Sequence, residues 1–127
     1  MSIDLYAENI MDHFNSPRNT GEIENPDIKQ KGLNPFCGDH VEITLKLNSK
    51  KEIVDIKFTG KGCSISQASA SMLTELIKSK SLDQVKSLTK TDILDMLNIP
   101  IGPVRMKCAL LALDTILEGI KLYQEKK

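Results

Sequence analysis

Residues 41–79 read VEITLKLNSKKEIVDIKFTGKGCSISQASASMLTELIKS, and their hydrophobic period changes partway along. Val41, Ile43, Leu45 and Leu47 alternate with Glu42, Thr44 and Lys46, the period of a half-buried strand. Residues 48–52 form a polar turn, and Ile53 to Phe58 alternates again, with Val54, Ile56 and Phe58 on one face. Two such runs joined by a short turn predict a hairpin. Beyond Gly60 and Gly62 the spacing becomes helical. Ala68, Met72, Leu76 and Ile77 line one side of a helix running to about Ser79. Ser64-Ile65-Ser66-Gln67 has capping-box form, which predicts a helix start beside Cys63.

Outward from this stretch, Ile3, Tyr6, Ile10 and Phe14 predict a first helix over 4–15, with Ser2 as its cap and Asn15-Ser16-Pro17 as its stop. Residues 18–36 are rich in Asn, Gly, Pro and charge and read as an irregular connector with a short edge strand near Ile23 or Ile28. Ser81-Leu82-Asp83-Gln84 repeats the capping-box form before a short helix through Leu88, and 91–97 predicts another, stopped by Asn98-Ile99-Pro100. After the loop Ile101-Gly102-Pro103, a last helix reaches about Tyr123, with Met106, Ala109, Leu110, Leu113 and Ile116 on its apolar side. Residues 124–127 read as a frayed tail. The order helix, strands, helices predicts an α+β sandwich with helices packed on one face of a small antiparallel sheet. A length of 127 residues predicts one domain over 1–127.

Composition narrows the function. Lysine plus arginine equals aspartate plus glutamate at 17 each, which argues against a nucleic-acid or membrane binder held by excess positive charge. There is no long apolar run and no signal-peptide pattern, so the chain is expected to be cytoplasmic. Thiols stay reduced there, and an odd count of three cysteines points to metal or sulfur chemistry rather than to a disulfide framework.

Cys37 stands in Asn34-Pro35-Phe36-Cys37-Gly38-Asp39, Cys63 in Gly60-Lys61-Gly62-Cys63-Ser64, and Cys108 in Arg105-Met106-Lys107-Cys108-Ala109. With Asp39 they offer three thiolates and a carboxylate, enough for a closed tetrahedral shell. Cys63 and Cys108 are both expected near helix starts, where unpaired N–H groups favour a thiolate, and Lys61, Arg105 and Lys107 add positive charge. Gly38, Gly60 and Gly62 allow close backbone approach. A free cysteine is also among the most buried residue types, so each could be a small core residue. The polar and glycine-rich flanks favour the ligand reading. His40 is balanced between ligand neighbour and surface residue, and His13 reads as structural or partner-facing. Met72, Met96 and Met106 read as core. No dinucleotide, P-loop, zinc-protease or nucleophile-elbow motif is present.

These motifs resemble, in order and nearly end to end, the iron–sulfur cluster assembly scaffold family of the IscU/SufU/NifU N-terminal type. Ile10-Met11-Asp12-His13-Phe14 with Pro17-Arg18-Asn19 is similar to the family's first helix and following turn. The three cysteine segments are similar to its three ligand loops, the second running on through Ala68-Ser69-Ala70-Ser71-Met72 in the SufU form. The resemblance implies a SufE/NifU-like sandwich and a scaffold that accepts sulfur from a cysteine desulfurase. It also implies that iron and a transient [2Fe–2S] cluster, or zinc, sit on Cys37, Asp39, Cys63 and Cys108, and that the cluster passes to apo recipient proteins or downstream carriers. Sulfur is expected first on Cys37, in the most accessible of the three contexts, with Cys108 as runner-up.

Lys107 stands where the IscU type has histidine, as in the SufU type, yet the 44 residues 64–107 between Cys63 and Cys108 lack the SufU insertion. Residues Ile101-Gly102-Pro103-Val104-Arg105 match only loosely the segment that IscU members offer to an Hsp70 chaperone, so chaperone delivery is not implied. The alternative class is an enzyme, a zinc-dependent sulfurtransferase or a zinc-water hydrolase. A shell filled by three cysteines and Asp39 counts against hydrolysis, which needs an open position.

Overall fold

A computed structural model describes residues 3–35 and 38–126. In chain order the elements are α1 (Ile3–Asn15), β1 (Ile28–Asn34), β2 (Asp39–Leu47), β3 (Ile53–Lys61), α2 (Ser64–Ile77), α3 (Leu82–Lys86), α4 (Lys90–Leu97) and α5 (Pro103–Glu125). The strands form an antiparallel sheet in the order β1-β2-β3. This is the α+β arrangement expected from the period change; of the two places expected for an edge strand in the 18–36 connector, Ile28 starts one, which runs for 7 residues as β1. Among the described residues, no helix is long and apolar enough to cross a membrane.

Alternation along β2 sends Val41, Ile43 and Leu45 into the core beside Ile56 and Phe58 of β3. They meet Ala68, Leu73 and Ile77 of α2 and Ala109, Ala112, Leu113 and Ile116 of α5. Helix α5 lies close on β1 because two glycines leave room. A side chain on Gly32 would collide with Thr115, and one on Gly119 would meet Ile28 and Gln30 at 3.0 Å. The Ser69 hydroxyl donates to the Ala109 carbonyl at 2.7 Å and ties α2 to α5.

The β3 alternation differs from expectation at one end. Lys46 pairs with Asp55 and Leu47 with Ile53, so Val54 is the extra residue of a bulge. The slip puts Ile53 in the core and leaves Val54 50 % exposed. The loop after α2 completes the pattern. Ile53 N–H donates to the Lys80 carbonyl, and Ser79 N–H donates to the Ile53 carbonyl.

Helix α1 buries Ile10 as expected but turns His13 inward in place of Phe14. Ile10 and His13 are buried, while Phe14 is 37 % exposed. The reason is the polar character of α2, which is buried on nearly every side but carries Ser66, Ser69, Ser71 and Thr74 among its buried residues. His13 Nδ1 and Ser71 Oγ are hydrogen bonded at 2.7 Å, and Arg18 N–H donates to the same oxygen at 2.9 Å. Asn19 Nδ2 donates to Thr74 Oγ1 at 3.0 Å. A phenyl ring in the place of His13 would leave Ser71 short of a buried partner, which outweighs the apolar period. Leu76, expected inside, is 39 % exposed.

The box at Ser81 and Gln84 forms as expected, although α3 ends at Lys86. A second box, Thr89 with Asp92, starts α4, and Asn98 at φ 53° ends it. Gln124 and Glu125 continue α5 instead of fraying.

Burial, followed by the Arg18 guanidinium, holds the His13 imidazole below its ordinary value, with Glu75 and Asp12 opposing. The unfolded chain therefore binds this proton more readily. The contribution of His13 to stability is complete above about pH 6.5 and is lost as pH falls through the depressed native value. The urea midpoint of the wild type should fall between about pH 7.5 and 5.5 more steeply than that of His13→Gln, whereas equal slopes would show that His13 titrates alike in both states. At the upper pH, His13→Ala should cost about 1–3 kcal/mol.

Candidate metal centre

The turn after β1 brings the first candidate ligand into place. Gly38 has φ +72°, a left-handed conformation that side chains other than glycine rarely adopt. Its N–H donates to the Asn34 carbonyl at 2.8 Å, and Asn34 pairs in register with Asp39. Asp39 opens β2, and alternation turns its carboxylate inward, where it is 2 % exposed. His40, next along, points to the other face and is exposed. Cys37 lies outside the described residues.

Cys63 is the N-cap of α2, so the helix starts one residue earlier than the Ser64 capping box implied, and Cys63 makes no side-chain cap bond. The cap is supplied from across the sheet. Cys63 N–H donates to Asp39 Oδ1 at 3.2 Å, and Cys63 Sγ lies 4.0 Å from Asp39 Oδ2. The Ser66 hydroxyl donates to the Cys63 carbonyl at 3.4 Å. Gly62 makes this approach possible. A Cβ there would lie 2.5 Å from Ser66 Oγ and 2.6 Å from Asp39 Oδ1.

Cys108 is the sixth residue of α5 and is 2 % exposed. It lies beyond the first turn, where the field of a helix end falls away, so the expected helix-start environment holds for Cys63 and not for Cys108. Arg105 and Lys107 are exposed. Asn34 Nδ2 lies 3.7 Å from the Cys108 sulfur in a buried setting. Asn34 and Lys107 also line a cleft of about 330 Å³ with Leu33, Pro35, Leu111 and Asp114.

Three elements thus deliver Asp39, Cys63 and Cys108 to one point, and their ligand atoms lie within 4.8 Å of one another. Among the described residues no lysine or arginine forms an ion pair with Asp39. A buried carboxylate beside two sulfurs without a paired cation suits a bound metal, because an uncompensated buried charge is costly. Sequence reasoning found these three residues; Asn34 stood in the first cysteine segment but was given no role of its own.

Residues 5–127 match the family described as the NifU-like N terminal domain. The chain is 40 % identical over 129 residues to the iron–sulfur cluster assembly enzyme IscU of Drosophila melanogaster, covering 97 % of this chain and 82 % of that protein. It is 38 % identical over 125 residues to the iron–sulfur cluster assembly scaffold protein IscU of Escherichia coli (strain K12), covering 96 % of each. Among solved structures, a putative iron–sulfur cluster assembly scaffold protein for the SUF system from Fervidobacterium islandicum AW-1 is similar, with a TM-score of 0.75 and 29 % identity. That likeness covers 94 % of this chain and 99 % of that one.

Gly62→Ala should destabilise the chain by about 1–3 kcal/mol, the usual cost of forcing extra volume into a packed site. Adding Asp39→Ala to that variant should recover part of the loss, because one of the two colliding side chains is then gone. Urea denaturation of the single and double variants measures both effects. A neutral Gly62→Ala would show that the backbone there can move away freely.

Proposed function

The chain belongs to the NifU-like N-terminal domain family and is an iron–sulfur cluster assembly scaffold of the IscU type, and we propose that it builds its cargo on Cys37, Asp39, Cys63 and Cys108. The observation that carries this reading is the convergence of Asp39, Cys63 and Cys108 from a strand end, a helix cap and a helix interior. Thiolates are soft ligands suited to iron, sulfide-bridged iron and zinc, and the carboxylate is the harder, more exchangeable member of the set. Asp39 is therefore the ligand that would yield a coordination position when cargo is loaded or released.

The sulfur donor in this reading is a cysteine desulfurase. Its persulfide presents a terminal sulfur, which a thiolate of this chain attacks. A new S–S bond forms on the accepting cysteine, the donor's S–S bond breaks, and the donor cysteine leaves as a thiolate with no net oxidation. Exposure matters for such an exchange. Cys108 is buried, and Cys63 is partly covered with its N–H bonded to Asp39. Both observations support Cys37 as the first acceptor, with Cys108 receiving sulfur only after local opening. Recipients are apo proteins or carriers that take the completed cluster.

A zinc-holding sulfur carrier, or sulfurtransferase, is the second reading. Lys107 before Cys108, the residue of the SufU type, favours it. One anaerobic experiment separates the two. The chain is incubated with ferrous iron, cysteine, a cysteine desulfurase and a dithiol that reduces persulfide sulfur to sulfide. A scaffold acquires iron and acid-labile sulfide in equal amounts. Failure to retain iron and sulfide, with persulfide found on the chain when the dithiol is left out, would overturn the scaffold role and leave the carrier.

Three variants refine the assignment. Asp39→Ala should bind zinc at least about tenfold more weakly, since loss of even an outer-shell partner has that effect. Unchanged affinity in a chelator competition would remove Asp39 from the ligand set. Persulfide mapping by mass spectrometry should find the label on Cys37. Full labelling of Cys37→Ser, with loss only in Cys108→Ser, would reverse the order of acceptance.

A further inference from the structure

Asn34 touches the site in three ways. It is the last residue of β1 and is buried. Its carbonyl accepts the Gly38 N–H at 2.8 Å. It pairs in register with Asp39 on the neighbouring strand. Its side-chain amide places Nδ2 3.7 Å from Cys108 Sγ, across 74 positions of sequence. A buried amide aimed at a cysteine sulfur can donate a hydrogen bond that strengthens as the sulfur gains negative charge.

We propose that Asn34 is a positioning residue of the metal and cluster site, its amide N–H orienting the Cys108 sulfur and drawing off part of its charge. The inference rests on the reading of Cys108 as a ligand. Outer-shell hydrogen bonds fix the direction of a ligand's lone pair and tune how strongly it donates to the metal. Cys108 sits in the second turn of α5, where the helix end gives little support, so an amide from β1 is well placed to supply it. The same residue holds the base of the turn that precedes Asp39 through its backbone. Asn34 thereby connects the sheet side of the site with the α5 side. The backbone bond to Gly38 survives any change of the side chain, so side-chain substitution isolates the effect on sulfur.

The test uses the full chain, oxygen-free, with zinc in chelator competition and with cobalt(II) as a spectroscopic probe. Asn34→Asp keeps the shape but replaces the donor with an anion facing the sulfur. We expect its zinc affinity to fall at least about tenfold, within the range for outer-shell partners. The thiolate-to-cobalt charge-transfer band should move to lower energy, because a sulfur without the hydrogen bond gives up electrons more easily. In a Cys108→Ser background the same substitution should have little effect, since coupling vanishes when its target is absent.

Asn34→Ala, which adds no charge, is read by the same criteria if the aspartate variant does not fold. A smaller loss, an unmoved band, or an equal loss in the Cys108→Ser background overturns the assignment and makes Asn34 a space-filling residue or an acceptor for a Cys108 thiol. A wild-type chain that binds neither zinc nor cobalt overturns the ligand reading itself, and this inference with it.

Discussion

The hydrogen bond from the Cys63 backbone N–H to the Asp39 carboxylate joins the two layers of the molecule. A helix start leaves N–H groups without internal partners, and α2 begins without a side-chain cap of its own. The sheet supplies that cap, from the first residue of β2. Both the strand that ends the helix's approach and the turn that precedes Asp39 must then be in place. Gly38 provides the left-handed turn and Gly62 the close passage. The carboxylate that completes the fold at this point is also the one beside the two sulfurs, so folding and ligand placement use the same atoms.

Much of this was legible in the primary structure. Strand β2, the two short helices after α2, and α5 follow from period and capping chemistry, and three of the four candidate ligands converge as their contexts implied. The fourth, Cys37, lies outside the described residues. What was not legible depends on partners distant in sequence. Alternation in β3 could not reveal that Val54 is skipped, because the slip arises in the pairing of Leu47 with Ile53. Helical period put Phe14 inside, but the hydroxyl of Ser71, 58 positions from His13, decided which side of α1 faces inward. The Ser64 capping box was a sound local reading that lost to Asp39. Asn34 had no local signal, since its meaning comes from Cys108.

The site combines unlike degrees of cover. Cys108 is buried beside the end of β1, Cys63 is partly open, and the buried Asp39 carboxylate is met by the Cys63 N–H and, at 4.0 Å, the Cys63 sulfur. With the ligand set proposed above, such a centre would keep some ligands fixed while another exchanges. That division suits a protein whose cargo must be built and then surrendered, and it differs from a permanent structural metal site, where every ligand is equally locked.

Helix α5 rests on β1 through Gly32 and Gly119. Gly119 is 11 residues beyond Cys108, which at 1.5 Å per residue is about 16 Å along the helix axis. A rigid rod carries a displacement at one end to the other. A side chain at Gly119 would press on Ile28 and Gln30, and wherever these do not yield, α5 would tilt and shift the sulfur of Cys108 relative to Asp39 and Cys63. The site's tolerances therefore extend well beyond its own neighbourhood. In a collection of natural or laboratory variants, loss of metal chemistry would map to a smooth glycine on the far half of a helix as well as to the ligands. A survey restricted to the ligand loops would misplace the cause.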